Sequence, residues 1–160
     1  MALRLTVISA LVGLLPTAAA AEPIHDAAAR GDVDAVKRLL AEGTSVDQFE
    51  TTAPYGRKTT ALYRATMAGR SEVVELLLDA GASPTLRSSD TDLHALQVAA
   101  KFGRADILQM FLDRGADPNT PGKTSTALHV ALKSEKHEIV RQLLDAGALP
   151  RIEQPSIASR

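Results

Sequence analysis

The sequence predicts an all-α solenoid of about four helix-turn-helix repeats. The segments Thr60–Gly81 and Thr126–Gly147 align without a gap, and Glu22–Gly43 and His94–Gly115 fall into the same register. Each segment carries apolar residues at helical spacing in its second half. Each also ends in a glycine, which suits the left-handed backbone that commonly follows a helix. A self-similar period of about 33 residues indicates stacked repeats.

The N-terminal 21 residues have the pattern of a secretory signal peptide. Arg4 precedes the apolar run Leu5–Leu15, Pro16 follows, and Ala19–Ala21 ends the segment. This run is shorter than the roughly 20 apolar residues that a bilayer-spanning helix needs, which favours a cleaved signal over a membrane anchor. We expect a cut before Glu22, with a cut one residue earlier as the alternative, and a periplasmic or secreted mature protein that does not associate with a membrane.

The first helix of each predicted repeat is short and rich in alanine, which lets neighbouring helices approach closely. The second helices read AVKRLL, VVELLL, ILQMFL and IVRQLL. Their first turns carry Asp34, Glu72, Asp106 and Glu138, where an acidic side chain complements the positive end of the helix dipole. We interpret these four carboxylates as structural rather than catalytic.

The junctions between the two helices of a repeat set its boundaries. They fall at Gly31, Gly69, Gly103 and Glu135, so the first interval is longer than the others. The prediction is a repeat domain over 22–150, with repeats at about 22–54, 55–88, 89–121 and 122–150. The tail 151–160 either folds over the exposed edge of repeat four or leaves that edge as a contact surface.

The opening Thr126-Ala-Leu-His129 and the period resemble the Thr-Pro-Leu-His motif of ankyrin repeats. The resemblance covers nearly the whole chain after residue 21 and implies a small, exported, bacterial ankyrin-repeat protein. His25 and His129 take the family's structural histidine position. Tyr63 and Gln97 depart from it, which predicts looser local hydrogen bonding in repeats two and three.

Several function classes are excluded or disfavoured by composition and motifs. The net charge of −1 gives no reason to expect nucleic-acid binding, and the absence of cysteine excludes thiolate chemistry. There is no nucleophile-elbow, phosphate-loop or zinc-protease motif, and the four histidines lack metal-ligand spacing. We therefore expect no enzyme activity and no cofactor.

The ankyrin resemblance implies a partner surface that we call the concave face, made of the finger turns (55–59, 90–93 and 122–125) and the exposed edges of the first helices. Phe102 is the strongest candidate there, because an aromatic side chain at a solvent-facing position suits an interface anchor. The alternative is that Phe102 packs on the finger around Leu93. The full candidate set is Tyr55, Arg57, Lys58, Met67, Asp90, Leu93, Lys101, Phe102, Lys123 and Lys133.

The long first junction, Thr44–Thr59, is a second candidate contact site, because Phe49 and Tyr55 are two of only five aromatic residues in the chain. The alternative is an ordinary variable loop with Phe49 packed against the stack. A basic strip of Lys101, Lys123 and Lys133, together with Arg57 and Lys58, would suit an acidic protein patch. Its alternative is a set of solvated lysines.

The resemblance favours a monomeric, exported interaction module that binds a protein partner as an adaptor or an immunity-type inhibitor. An accessory factor for an exported redox or haem enzyme is the alternative, and it predicts ligand contact through His94 or His129. A hydrolase with an unfamiliar site is a third hypothesis. The repeat positions of the histidines and carboxylates argue against it.

Overall fold

The computed structural model describes residues 23–50, 58–88 and 92–150, which form four pairs of α-helices. The pairs are α1 (Ile24–Arg30) with α2 (Val33–Ala41), α3 (Ala61–Ala68) with α4 (Ser71–Asp79), α5 (Ala95–Phe102) with α6 (Ala105–Asp113), and α7 (Ala127–Lys133) with α8 (His137–Asp145). The predicted all-α repeat fold is confirmed. The predicted signal peptide and the tail 151–160 lie outside the described residues. In the described ranges no helix combines the length and apolar content that crossing a bilayer requires.

The helices lie in two rows. The first helices α1, α3, α5 and α7 pack in sequence along one row, and α2, α4, α6 and α8 pack along the other. One apolar core runs between the rows from Ile24 to Ala148. Six alanines of the first helices have no exposed surface, as the close-approach prediction requires; they are Ala27, Ala28, Ala65, Ala99, Ala100 and Ala131.

At each junction between consecutive repeats, a basic side chain of the later repeat lies against the inter-helix glycine of the earlier one. Arg104 donates from Nη2 to the carbonyl oxygen of Met67 at 3.2 Å, and Arg70 donates from Nε to the carbonyl oxygen of Ala29 at 3.1 Å. Arg104 also lies against Gly69, where an added Cβ would stand 2.9 Å from its Cζ atom. Gly69 has φ +71°, which strains any residue that has a Cβ, and an added Cβ would displace the Arg104 guanidinium that bonds Met67.

Repeat four departs from this pattern at Glu135, which holds φ 54° without being glycine. In repeats one to three the equivalent glycine lies beneath Arg70, Arg104 or Lys136 of the next repeat. No repeat follows α8 in the described residues, so nothing there crowds the Glu135 side chain. The positive φ still favours glycine at position 135, but no side chain of a following repeat excludes a Cβ there in the described residues.

The prediction of looser hydrogen bonding at Gln97 is wrong. His25 Nε2 lies 2.7 Å from the carbonyl oxygen of Gln48, and Gln97 Nε2 donates to the carbonyl oxygen of Ser125 at the same distance. The amide therefore replaces the imidazole and joins its repeat to the following finger segment. His129 is exposed, because no finger follows repeat four in the described part of the chain.

The edge of repeat four exposes positions that the preceding repeats bury. Leu132 is 56% exposed, whereas its equivalent Ala100 in repeat three is fully buried. Leu144 is 48% exposed and its equivalent Leu78 in repeat two is 9% exposed. The difference follows from stacking, since each internal repeat is covered by the next one.

Candidate functional site

The register of the repeats places three of the candidate residues in one row. Met67, Lys101 and Lys133 occupy the same repeat position, in the last turns of α3, α5 and α7. Because α3 packs on α5 and α5 on α7, the row crosses the exposed edge of three first helices. It is apolar at repeat two and basic at repeats three and four.

An open groove of about 490 Å³ lies between repeats three and four, beside this row. It brings together Leu93, Lys101 and Lys133 from the candidate set. Its other lining residues are Thr124, Ser125, His129, Val130 and Ser134. The predicted finger 122–125 and the edge of α7 thus form one concave surface with the end of α5.

Sequence reasoning missed His129 and Val130 as groove residues. The motif assigns His129 to a structural histidine position, and Val130 is not among the candidate residues. The signal that could have identified them is the position of repeat four as the last predicted repeat. Because no finger follows repeat four up to residue 150, where the described structure ends, the side chain of His129 is exposed to solvent.

Phe102 is exposed on the concave face. Its side chain is 42% accessible, and the Lys101 ammonium lies 5.6 Å from the centre of its ring, within the range of a cation–π contact. Met67, one repeat away, is 37% accessible. Met67 and Phe102 are therefore two large, solvent-exposed apolar side chains next to Lys101.

The two lysines of the row have no acidic neighbour. In the described ranges no carboxylate oxygen lies within 4.0 Å of the Lys101 or Lys133 ammonium group. Lys123 differs, because its Nζ lies 3.0 Å from Asp92 Oδ2. The hydrogen bond from Lys123, assisted by Arg87 at 3.3 Å, holds the pKa of Asp92 below its ordinary value. Lys123 is therefore ion-paired, whereas Lys101 and Lys133 have no carboxylate partner among the described residues.

The long first junction is closed at its base. Glu50 N donates to the carbonyl oxygen of Thr59 at 2.9 Å, and the Thr59 hydroxyl donates to Glu50 Oε2 at 3.2 Å. Phe49 is half-buried and Lys58 is exposed. The candidates Tyr55 and Arg57, like Asp90 in the next finger, lie outside the described residues and stay predictions.

His94 stands where repeats two and four have threonine. The Thr60 and Thr126 hydroxyls accept hydrogen bonds from backbone N–H groups of their helices, at 3.2 and 3.4 Å. His94 is fully buried, and the polar group that acts on its ring is the backbone of Thr120. The buried ring of His94 is therefore inaccessible to the external ligand that the accessory-factor hypothesis requires. The side chain of His129, in contrast, is exposed in the groove.

The described residues contain no group of three histidine or carboxylate side chains placed to hold a metal ion. The groove instead presents the ammonium groups of its two lysines, the hydroxyl groups of its threonine and serines, and the apolar side chains of Leu93 and Val130. Such a surface can bind a chain segment through charge and van der Waals contact.

Comparison with protein families identifies the repeats independently. A family model described as ankyrin repeats (3 copies) matches residues 8–88 and again residues 85–154. Together the two matches span most of the 160-residue chain. Comparison with curated proteins gave no match.

Proposed function

The chain belongs to the ankyrin-repeat family, and from that premise we propose that it is exported and acts as an adaptor or an immunity-type inhibitor. Ankyrin repeats are in general protein–protein interaction modules. The proposal adds that the partner binds the concave face, that the protein has no enzymatic role of its own, and that it acts as a monomer in the periplasm or outside the cell.

The observation that carries the proposal is the exposure of Phe102 beside the unpaired Lys101 and Lys133. Aromatic side chains are enriched among residues that dominate binding energy, particularly where neighbouring contacts exclude water. Hydrogen bonds from Arg104 to Met67 and from Gln97 to Ser125 join repeats two, three and four, which favours a preformed surface that loses little entropy on binding.

Export is supported by the pattern of the first 21 residues and is tested separately from binding. We expect fractionation of the source cells to place the protein outside the cytoplasm, with a mature N-terminus at Glu22. A protein that keeps Met1 and stays in the cytoplasm would contradict the export part and leave the binding part standing.

Binding at the concave face is tested by site-specific photo-crosslinking in intact source cells. The crosslinking amino acid p-benzoylphenylalanine replaces Phe102 in one variant and Gln109 in the control. Gln109 is exposed on α6, in the other row of helices. We expect a discrete adduct with one partner protein from position 102 and none from position 109. Equal adducts at both positions, or no adduct at position 102, would contradict the proposal.

A further inference from the structure

We propose that the groove between repeats three and four holds an extended, acidic segment of the partner, with two carboxylates facing Lys101 and Lys133 and an apolar side chain beyond them against Met67 and Phe102. This inference rests on the proposed function and names the chemistry of the partner.

The charge of the groove is a local feature. The whole chain carries a net charge of −1, yet the groove lining contains two lysines and no carboxylate. Ion pairs within the chain engage several other basic side chains: Arg64 with Asp26, Arg114 with Asp79, and Lys123 with Asp92. The two groove lysines are left for a carboxylate that comes from outside.

The repeat spacing sets the distance between the partner's charges. Lys101 and Lys133 lie on α5 and α7, which pack side by side, and packed helices are about 8–10 Å apart. An extended chain advances about 3.3 Å per residue. Two carboxylates that meet these lysines are therefore about two to three residues apart in the partner's sequence.

The same row places the apolar contact at one end of the bound segment. Met67 lies one repeat before Lys101 in the row, and Phe102 is adjacent to Lys101, so the apolar contact falls on the repeat-two side of the carboxylates. Leu93 and Val130 supply apolar surface inside the groove. The partner motif is thus one apolar residue followed or preceded, at about two to three residues, by a spaced acidic pair.

The test uses an unbiased library of 12-residue peptides displayed on phage and panned on the purified full chain. We expect the enriched peptides to share an acidic pair and an apolar residue at these spacings. A synthesised consensus peptide should lose at least about tenfold in affinity against the double variant K101E/K133E. Its affinity for the unchanged protein should also fall as the salt concentration rises, because the ammonium groups are exposed.

The matched control is K37E/R38E, which makes the same change of net charge on exposed residues of α2 and should alter affinity by less than about twofold. Far-ultraviolet circular dichroism must show all variants folded. Enriched peptides without an acidic pair, or equal binding by both double variants, would overturn the inference. A library that yields no binder would overturn it too. In each case an adduct from position 102 in the crosslinking experiment would leave the proposed function intact.

Discussion

Gln97 donates a hydrogen bond from its side-chain Nε2 to the backbone carbonyl oxygen of Ser125, at 2.7 Å. Its Oε1 accepts a second bond from the backbone N–H of His94 at 3.3 Å. Gln97 is fully buried, so this one side chain satisfies two backbone groups and connects α5 to the finger of repeat four.

Gln97→Ala should lower the free energy of unfolding by about 1–3 kcal/mol, because it leaves the buried His94 N–H without a partner and removes one of two hydrogen bonds to the Ser125 carbonyl oxygen. Gln97→His should lose less, since an imidazole at the equivalent His25 reaches the finger carbonyl of Gln48 at the same 2.7 Å. Urea denaturation of the three proteins measures the difference. Equal stability of Gln97→Ala and the unchanged protein would show that the contact to Ser125 contributes nothing.

Acid should destabilise the fold through His94. Burial lowers the pKa of its imidazole below the ordinary value of 6.5, the Thr120 backbone opposes the shift, and the Arg87 guanidinium adds to it. The unfolded chain therefore binds this proton more readily than the folded one. Stability is complete above the unfolded pKa and is lost as the pH falls from about 6.5 towards the folded pKa.

His94→Thr tests this pH dependence, because threonine is the residue that repeats two and four use at the same position. We expect the stability difference between about pH 7.5 and about pH 5 to be smaller in His94→Thr than in the unchanged protein. The comparison uses the slope with pH, so a general loss of stability from the smaller side chain does not affect it. Identical slopes would assign the acid sensitivity to other groups.

Glu135→Gly should stabilise the protein by up to about 1 kcal/mol, because glycine removes the cost of a left-handed backbone at φ 54°. Gly69→Ala should do the opposite, since its Cβ would meet Arg104 at 2.9 Å in an equally left-handed residue. Thermal melts of both variants give the sign directly. A destabilised Glu135→Gly would mean that the glutamate side chain makes a contribution larger than the backbone strain.

Leu77→Ala should cost about 2–5 kcal/mol, because Leu77 is fully buried in the middle of the stack. Leu144→Ala is the matched control, since it removes the same atoms from a side chain that is half exposed on the last repeat. We expect it to cost less than about 1 kcal/mol. Equal shifts in the urea midpoint would contradict the placement of Leu77 in the core or of Leu144 at the edge.

The sequence by itself determined the repeat register and the backbone positions that depend on it. The glycines at 43, 81, 115 and 147 all have positive φ, and the acidic residues lie in the first turns of the second helices. Both features follow from local backbone chemistry, which a repeated pattern displays directly. The register also aligned Met67, Lys101 and Lys133, because equivalent residues of stacked repeats lie side by side.

Only the tertiary structure decided which of these side chains are available. Lys123 and Lys133 are both exposed lysines, yet Lys123 is paired with Asp92, 31 residues away in the chain. Gln97 departs from the repeat motif and still makes the bond across repeats, whereas His129 keeps the motif and finds no following finger in the described part of the chain. Each outcome depends on what the neighbouring repeat places opposite the side chain. A pattern within one repeat carries no information about that neighbour.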